Sequence, residues 1–299
     1  MRPVPRRDGP APSNLDRTRR VVRPWVVLLA AGEGRGFGDF SIRMSGRNIP
    51  KQFWSLGSQG GMLDWAMARA ARIAPPERVL AISRIDHGRW TRAPFRNLPP
   101  DRIVLQPSDR GTAPGVLLAL MLLGRLDPNA VVVLLPCDHH VEAEGLLTEA
   151  IGAATRLASR REVILALGAR AGLSGPGGPW LVPQELASTG ITVARRSALI
   201  GLFAATVPDL VADCVTWATD WISGRGSLRP LYETIPPRDF NRQVLYKAPT
   251  ALAVAEIPHC GFADLGTPAK FARFLRSQST PSSPVHARRH ETTGARASA

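Results

Sequence analysis

The apolar residues of this chain fall into short continuous runs, separated by segments with a helical period. A short apolar run bounded by turn residues is typical of a strand that is buried on both faces. Such runs predict strands at residues 25–31, 79–83, 103–106, 131–135, 163–167, 190–194 and 252–257. The intervening segments predict helices at residues 62–73, 114–126, 143–159, 195 to about 221, and 267–275.

The alternation of buried strands with helices predicts an α/β fold. Strands that are apolar throughout belong to a mainly parallel mixed sheet with helices on both faces, which is a three-layer, Rossmann-like arrangement. In such sheets, ligands bind beyond the carboxyl ends of the strands. The residues just after Ala31 and just after Leu135 are therefore where we expect the chemistry.

The positive charge of the chain is concentrated at its two ends. The 299 residues carry a net charge of +14, with seven arginines and two aspartates in residues 1–23 and four arginines and one glutamate in residues 276–299. Both ends lack apolar periodicity, so we expect disordered tails at residues 1–23 and 277–299 around a domain at 24–276. No nucleic-acid-binding motif is present, which favours a solvated arginine-rich surface and no nucleic-acid partner.

The cysteine count and the hydropathy exclude several classes of protein. Cys137, Cys214 and Cys260 form no CxxC pair, which argues against a disulfide framework and a structural zinc site and fits a reducing compartment. No apolar run reaches the roughly 18 residues that a membrane span needs. We therefore expect a cytoplasmic protein without a membrane partner.

The first predicted strand ends in a glycine-rich turn, AAGEGRGFG at residues 30–38. Glycines let several backbone N–H groups approach an anion, and Arg35 adds a guanidinium group. The spacing matches neither of the common nucleotide-binding patterns, GxxxxGK[ST] and GxGxxG. Taken alone, the turn has a purely structural interpretation as well.

Polar residues follow other predicted strands. Lys51, in the sequence PKQF, offers a compact ammonium group that suits phosphate. Residues 106–115 lead into a helix whose N-terminus favours anions, with Thr112 as its cap. Asp138 ends a buried strand, where a carboxylate is costly unless it is paired or bound to a cation. Asp264 precedes the last helix, and the two aspartates could share one Mg²⁺–polyphosphate unit, although Asp264 could equally cap a turn.

His139 and His140, which follow Asp138, suggest a zinc site. Adjacent residues point apart on a strand or turn, so we favour a structural role for both. Cys137 is expected to be a small packed residue, because no activating arrangement surrounds it in the sequence.

Taken in order, five segments of the chain resemble the sugar-1-phosphate nucleotidyltransferases, and most closely the mannose-1-phosphate guanylyltransferases. That family has LAGGxGxRL, PKQF, RxTAPA, LPADH and WxDLGTP. This chain has LAAGEGRGF, PKQF, RGTAPG, LPCDH and FADLGTP at residues 29–37, 50–53, 110–115, 135–139 and 262–268. Each segment is a weak signal, but five in order across residues 24–275 are specific.

The resemblance implies a nucleotide-diphospho-sugar transferase fold, with GTP and a sugar 1-phosphate, mannose 1-phosphate, as substrates and GDP-sugar and pyrophosphate as products. It implies catalytic roles for Arg35, Lys51 and Asp138. It implies nucleotide contacts from Ala31, Gly32, Gly34, Arg35, Arg110, Thr112, Ala113 and Pro114. It implies that Asp138 and Asp264 hold Mg²⁺, and it leaves a homo-oligomer open.

The chain departs from the family pattern at several places, one of which is Phe262 in place of the tryptophan. The arginine of GxGxR falls on Gly36, and the asparagine before TAP is Gly111. The EKP segment and the LWN stretch that follows it would fall at residues 182–190, where this chain has neither. A degenerate, non-catalytic nucleotide-binding or regulatory homologue is therefore the alternative function.

Overall fold

The strands form one large and one small sheet. The computed structural model describes residues 22–32, 37–54, 60–170 and 186–279. Within these ranges the strands are β1 (Trp25–Leu29), β2 (Val79–Arg84), β3 (Ile103–Gln106), β4 (Val131–Pro136), β5 (His139–His140), β6 (Ile164–Arg170), β7 (Leu186–Arg195), β8 (Leu252–Glu256) and β9 (Ala263–Asp264).

The helices of the described residues lie between these strands and after the last one. They are α1 (Phe37–Ser45), α2 (Met62–Ile73), α3 (Gly88–Thr91), α4 (Thr112–Leu126), α5 (Glu144–Arg160), α6 (Arg196–Thr206), α7 (Pro208–Ile222), α8 (Arg229–Thr234), α9 (Phe240–Gln243) and α10 (Pro268–Ser279).

The large sheet has the strand order β3-β2-β1-β4-β7-β6-β8. Neighbouring strands from β3 to β4 are parallel, β7 is antiparallel to both β4 and β6, and β8 is parallel to β6. The predicted mainly parallel mixed sheet is thus confirmed. The chain builds outward from β1 through β2 to β3 and then returns to place β4 on the other side of β1, so a crevice opens at the carboxyl ends of β1 and β4.

Alternate residues of each central strand enter different cores. In β1, Val27 packs into the cluster under α4, α6 and α7, while Val26 and Leu28 pack into the cluster under α2 and α5. This alternation explains why the strand reads as apolar throughout: both faces of the sheet are covered. The observed three-layer arrangement confirms the fold class.

A third, smaller core lies beside the crevice. Phe37 of α1, Met62 of α2, Leu265 after β9 and Phe271 of α10 pack together there, and all four are buried. This cluster joins the segment after the glycine-rich turn to the last helix. It therefore anchors α1 and α10 at the edge where the site is expected.

The predicted helix from residue 195 to about 221 is wrong as a single element. It is two helices, α6 and α7, separated at Val207, which has φ −142° and ψ 60°. Pro208 is the physical reason, because a proline lacks the N–H that a helix interior needs and disfavours helical backbone in the preceding residue. Helix α1 and the short strands β5 and β9 were not predicted.

The predicted tails fall mostly outside the described residues. Helix α10 continues to Ser279, slightly beyond the expected boundary at 276. No single described helix combines the length and hydropathy that a bilayer crossing requires; α6 and α7 reach them only jointly, and they are bent by 117°.

Truncating a core side chain of α4 should unfold the domain at lower denaturant concentration. Leu118 is fully buried, so we expect Leu118→Ala to reduce the free energy of unfolding by about 2–5 kcal/mol through lost contacts and a cavity. Leu157→Ala, at a position 42% exposed on α5, is the control and should change it by no more than about 0.5 kcal/mol. Urea denaturation followed by circular dichroism measures both, and equal effects would contradict the assigned core.

Candidate active site

The carboxyl ends of β1 and β4 are tied together. The Cys137 thiol donates a hydrogen bond to the Leu29 carbonyl oxygen at 3.0 Å. The buried amide of Gln52 donates to the carbonyl oxygens of Ala30 at 3.2 Å and Gly32 at 2.8 Å. Gln52 therefore holds the start of the glycine-rich turn against the PKQF segment. This role was not predicted from the sequence, although PKQF itself was singled out.

Lys51 and Asp138 form an ion pair in this crevice. Lys51 begins a short 3-10 turn, and its Nζ lies 2.5 Å from Asp138 Oδ2. The side chains are 18% and 21% exposed, so a ligand can reach both. Burial acts to raise the pKa of Asp138, but Lys51 and His139 outweigh it and hold that pKa well below its usual range. Asp138 is therefore an anion at neutral pH.

Asp264 lies beside Asp138 because β9 pairs with β5. The two strands are antiparallel, with Asp264 opposite His139, and the Leu265 N–H donates to the Asp138 carbonyl oxygen at 3.0 Å. The structure thus brings together two aspartates that are far apart in the sequence. Asp264 in turn forms an ion pair with Lys270 of α10.

Gly266 leaves room between these charged groups. A Cβ atom at this position would lie 2.8 Å from Asp264 Oδ1, 3.3 Å from Asp138 Oδ2 and 3.5 Å from Lys51 Nζ. The backbone N–H of Gly266 also donates to Asp264 Oδ1 at 2.7 Å. Two carboxylates and an ammonium group therefore surround one point, and a side chain there would fill it.

The donor set fits a magnesium ion that is shared with a ligand. Mg²⁺ prefers oxygen ligands and is usually held by one or two carboxylates together with substrate phosphates and water. Asp138 and Asp264 supply such carboxylates, each now balanced by a lysine. The described residues contain no cluster of three or more His, Cys, Asp and Glu side chains suited to a metal ion. Further ligands would have to come from phosphate or water.

The loop before α4 is clamped by a later segment of the chain. The Arg110 guanidinium donates to the Tyr232 carbonyl oxygen at 2.7 Å. The Arg238 N–H donates to the Arg110 carbonyl oxygen at 2.8 Å, and the Ala113 N–H donates to the Arg238 carbonyl oxygen at 3.0 Å. These bonds fix the loop whose residues are predicted to contact the nucleotide.

The predicted helix cap at Thr112 is wrong. Thr112 is the first residue of α4, and Gly111 occupies the cap position without a side-chain bond. The Thr112 hydroxyl instead accepts a hydrogen bond from the Phe240 N–H at 2.8 Å. This bond is one of the contacts between residues 110–113 and residues 232–240, which we call the clamp. The long-range contact takes the place of local capping.

The same clamp explains why residue 111 is glycine. Gly111 has a φ of +77°, a conformation that side chains rarely adopt, and a Cβ there would lie 2.2 Å from the Arg238 carbonyl oxygen. An asparagine, which the family pattern has at this position, would collide with that backbone. The departure from the pattern thus goes together with the close approach of the segment around residue 238.

The other predicted residues are placed as follows. Ala31 is half-buried and Gly32 is exposed at the end of β1, whereas Ala113 and Pro114 are buried in α4. Gly34 and Arg35 lie outside the described residues, as does the first part of the segment at 182–190, through residue 185. The nucleotide contacts of all these residues stay predictions.

The two histidines after β4 contact aromatic rings, and His139 also contacts the candidate site, with its Nε2 3.3 Å from Asp138 Oδ1. His139 lies 4.9 Å from the Phe262 ring and His140 lies 4.6 Å from the Phe274 ring, measured between centroids. Burial lowers the pKa of both histidines. Burial raises the pKa of the Cys137 thiol, which is 5% exposed, so it is a neutral packed group as expected.

Similar proteins were found by sequence and by structure. A mannose-1-phosphate guanylyltransferase of Vibrio cholerae, described as putative in its name, is 30% identical over 135 residues, which are 44% of this chain and 28% of that protein. The alginate biosynthesis protein AlgA of Pseudomonas syringae pv. tomato is 28% identical over 141 residues, 46% of this chain and 28% of that protein. The resemblance seen in the motifs is confirmed.

Solved structures share the fold. A mannose-1-phosphate geranyltransferase from Thermus thermophilus has a TM-score of 0.66 at 21% identity, covering 82% of this chain and 77% of that one. The inositol-1-phosphate CTP transferase of T. maritima has a TM-score of 0.54 at 13% identity, covering 87% and 96%. No family model matches the chain. The sequence matches to AlgA and to the Vibrio cholerae protein each cover less than a third of the length of that relative.

Substituting Gly111 should destabilise the domain. We expect Gly111→Ala to reduce the free energy of unfolding by about 1–3 kcal/mol, because the alanine must either strain the positive φ or displace the segment at Arg238. Gly201→Ala in α6 is the matched control: its Cβ meets no atom within 4 Å, and the change should stabilise by about 0.5–1 kcal/mol. Urea denaturation measures both, and two changes of the same sign would contradict the clamp.

Proposed function

We propose that the chain transfers GMP from GTP to a sugar 1-phosphate, mannose 1-phosphate, releasing pyrophosphate. The observation that supports this most directly is the meeting of Lys51, Asp138 and Asp264 around Gly266. The arrangement lies at the carboxyl ends of β1 and β4, where an α/β sheet binds its ligands. The similarity to sugar-1-phosphate nucleotidyltransferases in sequence and fold supports the same class of reaction.

The reaction needs charge and positioning more than a protein nucleophile. A phosphate oxygen of the sugar 1-phosphate attacks the α-phosphorus of GTP in line, the bond to the bridging oxygen breaks, and pyrophosphate leaves. Lys51 would neutralise the charge that accumulates on the phosphates, at a point that Asp138 fixes. Mg²⁺ held by Asp138 and Asp264 would supply Lewis-acid stabilisation of the phosphate oxygens.

Guanine and mannose are the finer part of the proposal. They rest on the five motifs and on the guanylyltransferase from Vibrio cholerae, because the fold is also that of an inositol-1-phosphate CTP transferase. In this chain the clamped loop from Arg110 to Thr112 is the candidate for base recognition, since it borders the crevice with a fixed backbone. The location we propose is cytoplasmic, which the three free cysteines support.

A non-catalytic nucleotide-binding homologue is the second candidate. Each of the two aspartates already has a lysine partner, which supports a site that is balanced without a metal. The absence of an EKP lysine at residues 182–190 supports it too. GTP-dependent thermal stabilisation without pyrophosphate release would favour this candidate over the transferase.

Removing Lys51 or Asp138 should abolish most turnover. With GTP, mannose 1-phosphate and Mg²⁺, we expect Lys51→Ala to lower the rate by about 10²–10³-fold, because it removes one charge contact to the phosphates. Asp138→Ala should leave no measurable rate. Lys247→Ala removes an exposed lysine of no assigned role and is the matched control. A coupled pyrophosphate assay measures all three, and similar rates for Lys51→Ala and Lys247→Ala would remove Lys51 from the site.

The same assay decides the substrates. Parallel reactions with ATP, CTP, UTP and dTTP, each with mannose 1-phosphate and glucose 1-phosphate, should show the highest kcat/KM for GTP with mannose 1-phosphate. A higher value for another pair would keep the transferase and change its specificity. No turnover with any pair would contradict the catalytic proposal.

A further inference from the structure

A cleft of about 970 Å³ opens at the opposite edge of the sheet from the candidate active site. Its walls are the residues that precede β1, the last turn of α2, the turn before β4 and one side of α5. Lys51, Asp138 and Asp264 are at the carboxyl ends of the strands, whereas this cleft is at the amino ends of β1 and β4. It is therefore a separate site.

The cleft carries a large excess of positive charge. Six arginines and one acidic residue line it: Arg23, Arg72, Arg78, Arg156, Arg160, Arg195 and Asp127. Two of the arginines have structural partners, because Arg78 pairs with Asp127 at 3.2 Å and Arg195 donates to carbonyl oxygens at the end of α5. The guanidinium groups of the other four make no ion pair or hydrogen bond with any described residue.

Helix electrostatics explain only part of this pattern. Arg72 and Arg160 occupy the last turns of α2 and α5, where a cation complements the helix dipole. That effect does not account for Arg156, which lies a turn earlier on α5, or for Arg23 before β1. Arginines from separate elements repel one another across a concave surface, so a ligand of opposite charge would be attracted strongly.

The side chains that line the cleft favour a phosphate-containing anion. Guanidinium groups bind phosphate oxygens through paired hydrogen bonds, and Thr148, Asn129 and Ser159 add neutral polar groups. No described residue that lines the cleft is aromatic, so it offers no platform on which a base could stack. Its volume lies within the range of small-molecule clefts.

We propose that this cleft binds a linear oligophosphate, through Arg23, Arg72, Arg156 and Arg160. The recognised chemistry is a chain of phosphoryl groups, which is shared by inorganic tripolyphosphate and the triphosphate of a nucleotide. The site is independent of the proposed transferase, since none of the residues around Gly266 contributes to it.

The test is titration calorimetry of tripolyphosphate at low salt, with the full-length chain carrying Lys51→Ala so that the candidate active site competes less. Adding Arg72→Ala, Arg156→Ala and Arg160→Ala should weaken binding at least about tenfold, since charge-assisted phosphate bonds are lost. The matched control removes three exposed arginines elsewhere, Arg92→Ala, Arg225→Ala and Arg229→Ala, and should weaken binding less than about twofold by its change in net charge alone.

Equal weakening by the two triple variants, or none by either, would overturn the proposal. The proposal would also be overturned if the cleft variant lost oligonucleotide binding while its tripolyphosphate binding was unchanged, because the cleft would then be a nucleic-acid surface.

A GTP titration identifies the source of the phosphates. An affinity for GTP equal to that for tripolyphosphate indicates that the phosphate chain alone is recognised. Tighter GTP binding that the cleft substitutions abolish indicates that a nucleotide is recognised. Both of these results support an oligophosphate site. Circular dichroism confirms that each variant is folded.

Discussion

The candidate active site depends on the pairing of two very short strands. Strands β5 and β9 place Asp264 opposite His139, so its carboxylate lies beside that of Asp138. Two partly buried carboxylates at one point repel each other and lose hydration, which is costly unless cations accompany them. The chain supplies Lys51 to one and Lys270 to the other. The result is a set of alternating positive and negative groups around Gly266.

The rest of the fold supports this arrangement. The large sheet fixes the ends of β1 and β4 side by side, and the buried Gln52 amide fixes the glycine-rich turn to the same place. The small aromatic core around Phe37 and Phe271 then holds α10, and with it Lys270, against the crevice. The packing of these elements therefore brings the two lysines and the two aspartates together.

The sequence predicted the fold well because the central strands are covered on both faces. Their apolar runs carry that information locally, and the boundaries of α2 and β3 agree with the structure. The sequence analysis predicted one helix where the structure has two, although Pro208, which begins the second helix, is visible in the sequence. Of the site, Lys51, Asp138 and Asp264 came from motifs. The clamp on Gly111 did not, because it depends on a long-range contact with Arg238 that no local pattern encodes.

The rarity of lysine is a further signal in the sequence. Only three of the 38 basic residues are lysines, and two of them, Lys51 and Lys270, contact the two aspartates of the site. A compact ammonium at both places, in a chain that otherwise uses arginine, fits a site where a cation must release its carboxylate when a phosphate binds. The proposed oligophosphate site in the opposite cleft uses arginine instead, whose planar guanidinium group can form paired hydrogen bonds with phosphate.

The central claim is that Asp138 and Asp264 act as one unit on a metal-bound triphosphate. It is tested most directly by Mn²⁺ binding in the presence of GTP, followed through the electron paramagnetic resonance signal of free Mn²⁺, for Asp138→Asn, Asp264→Asn and the double variant. If the two carboxylates share one ion, each single substitution should remove most of the affinity and the double variant should lose little more. Losses that simply add, or Mn²⁺ binding unchanged in either single variant, would contradict the account.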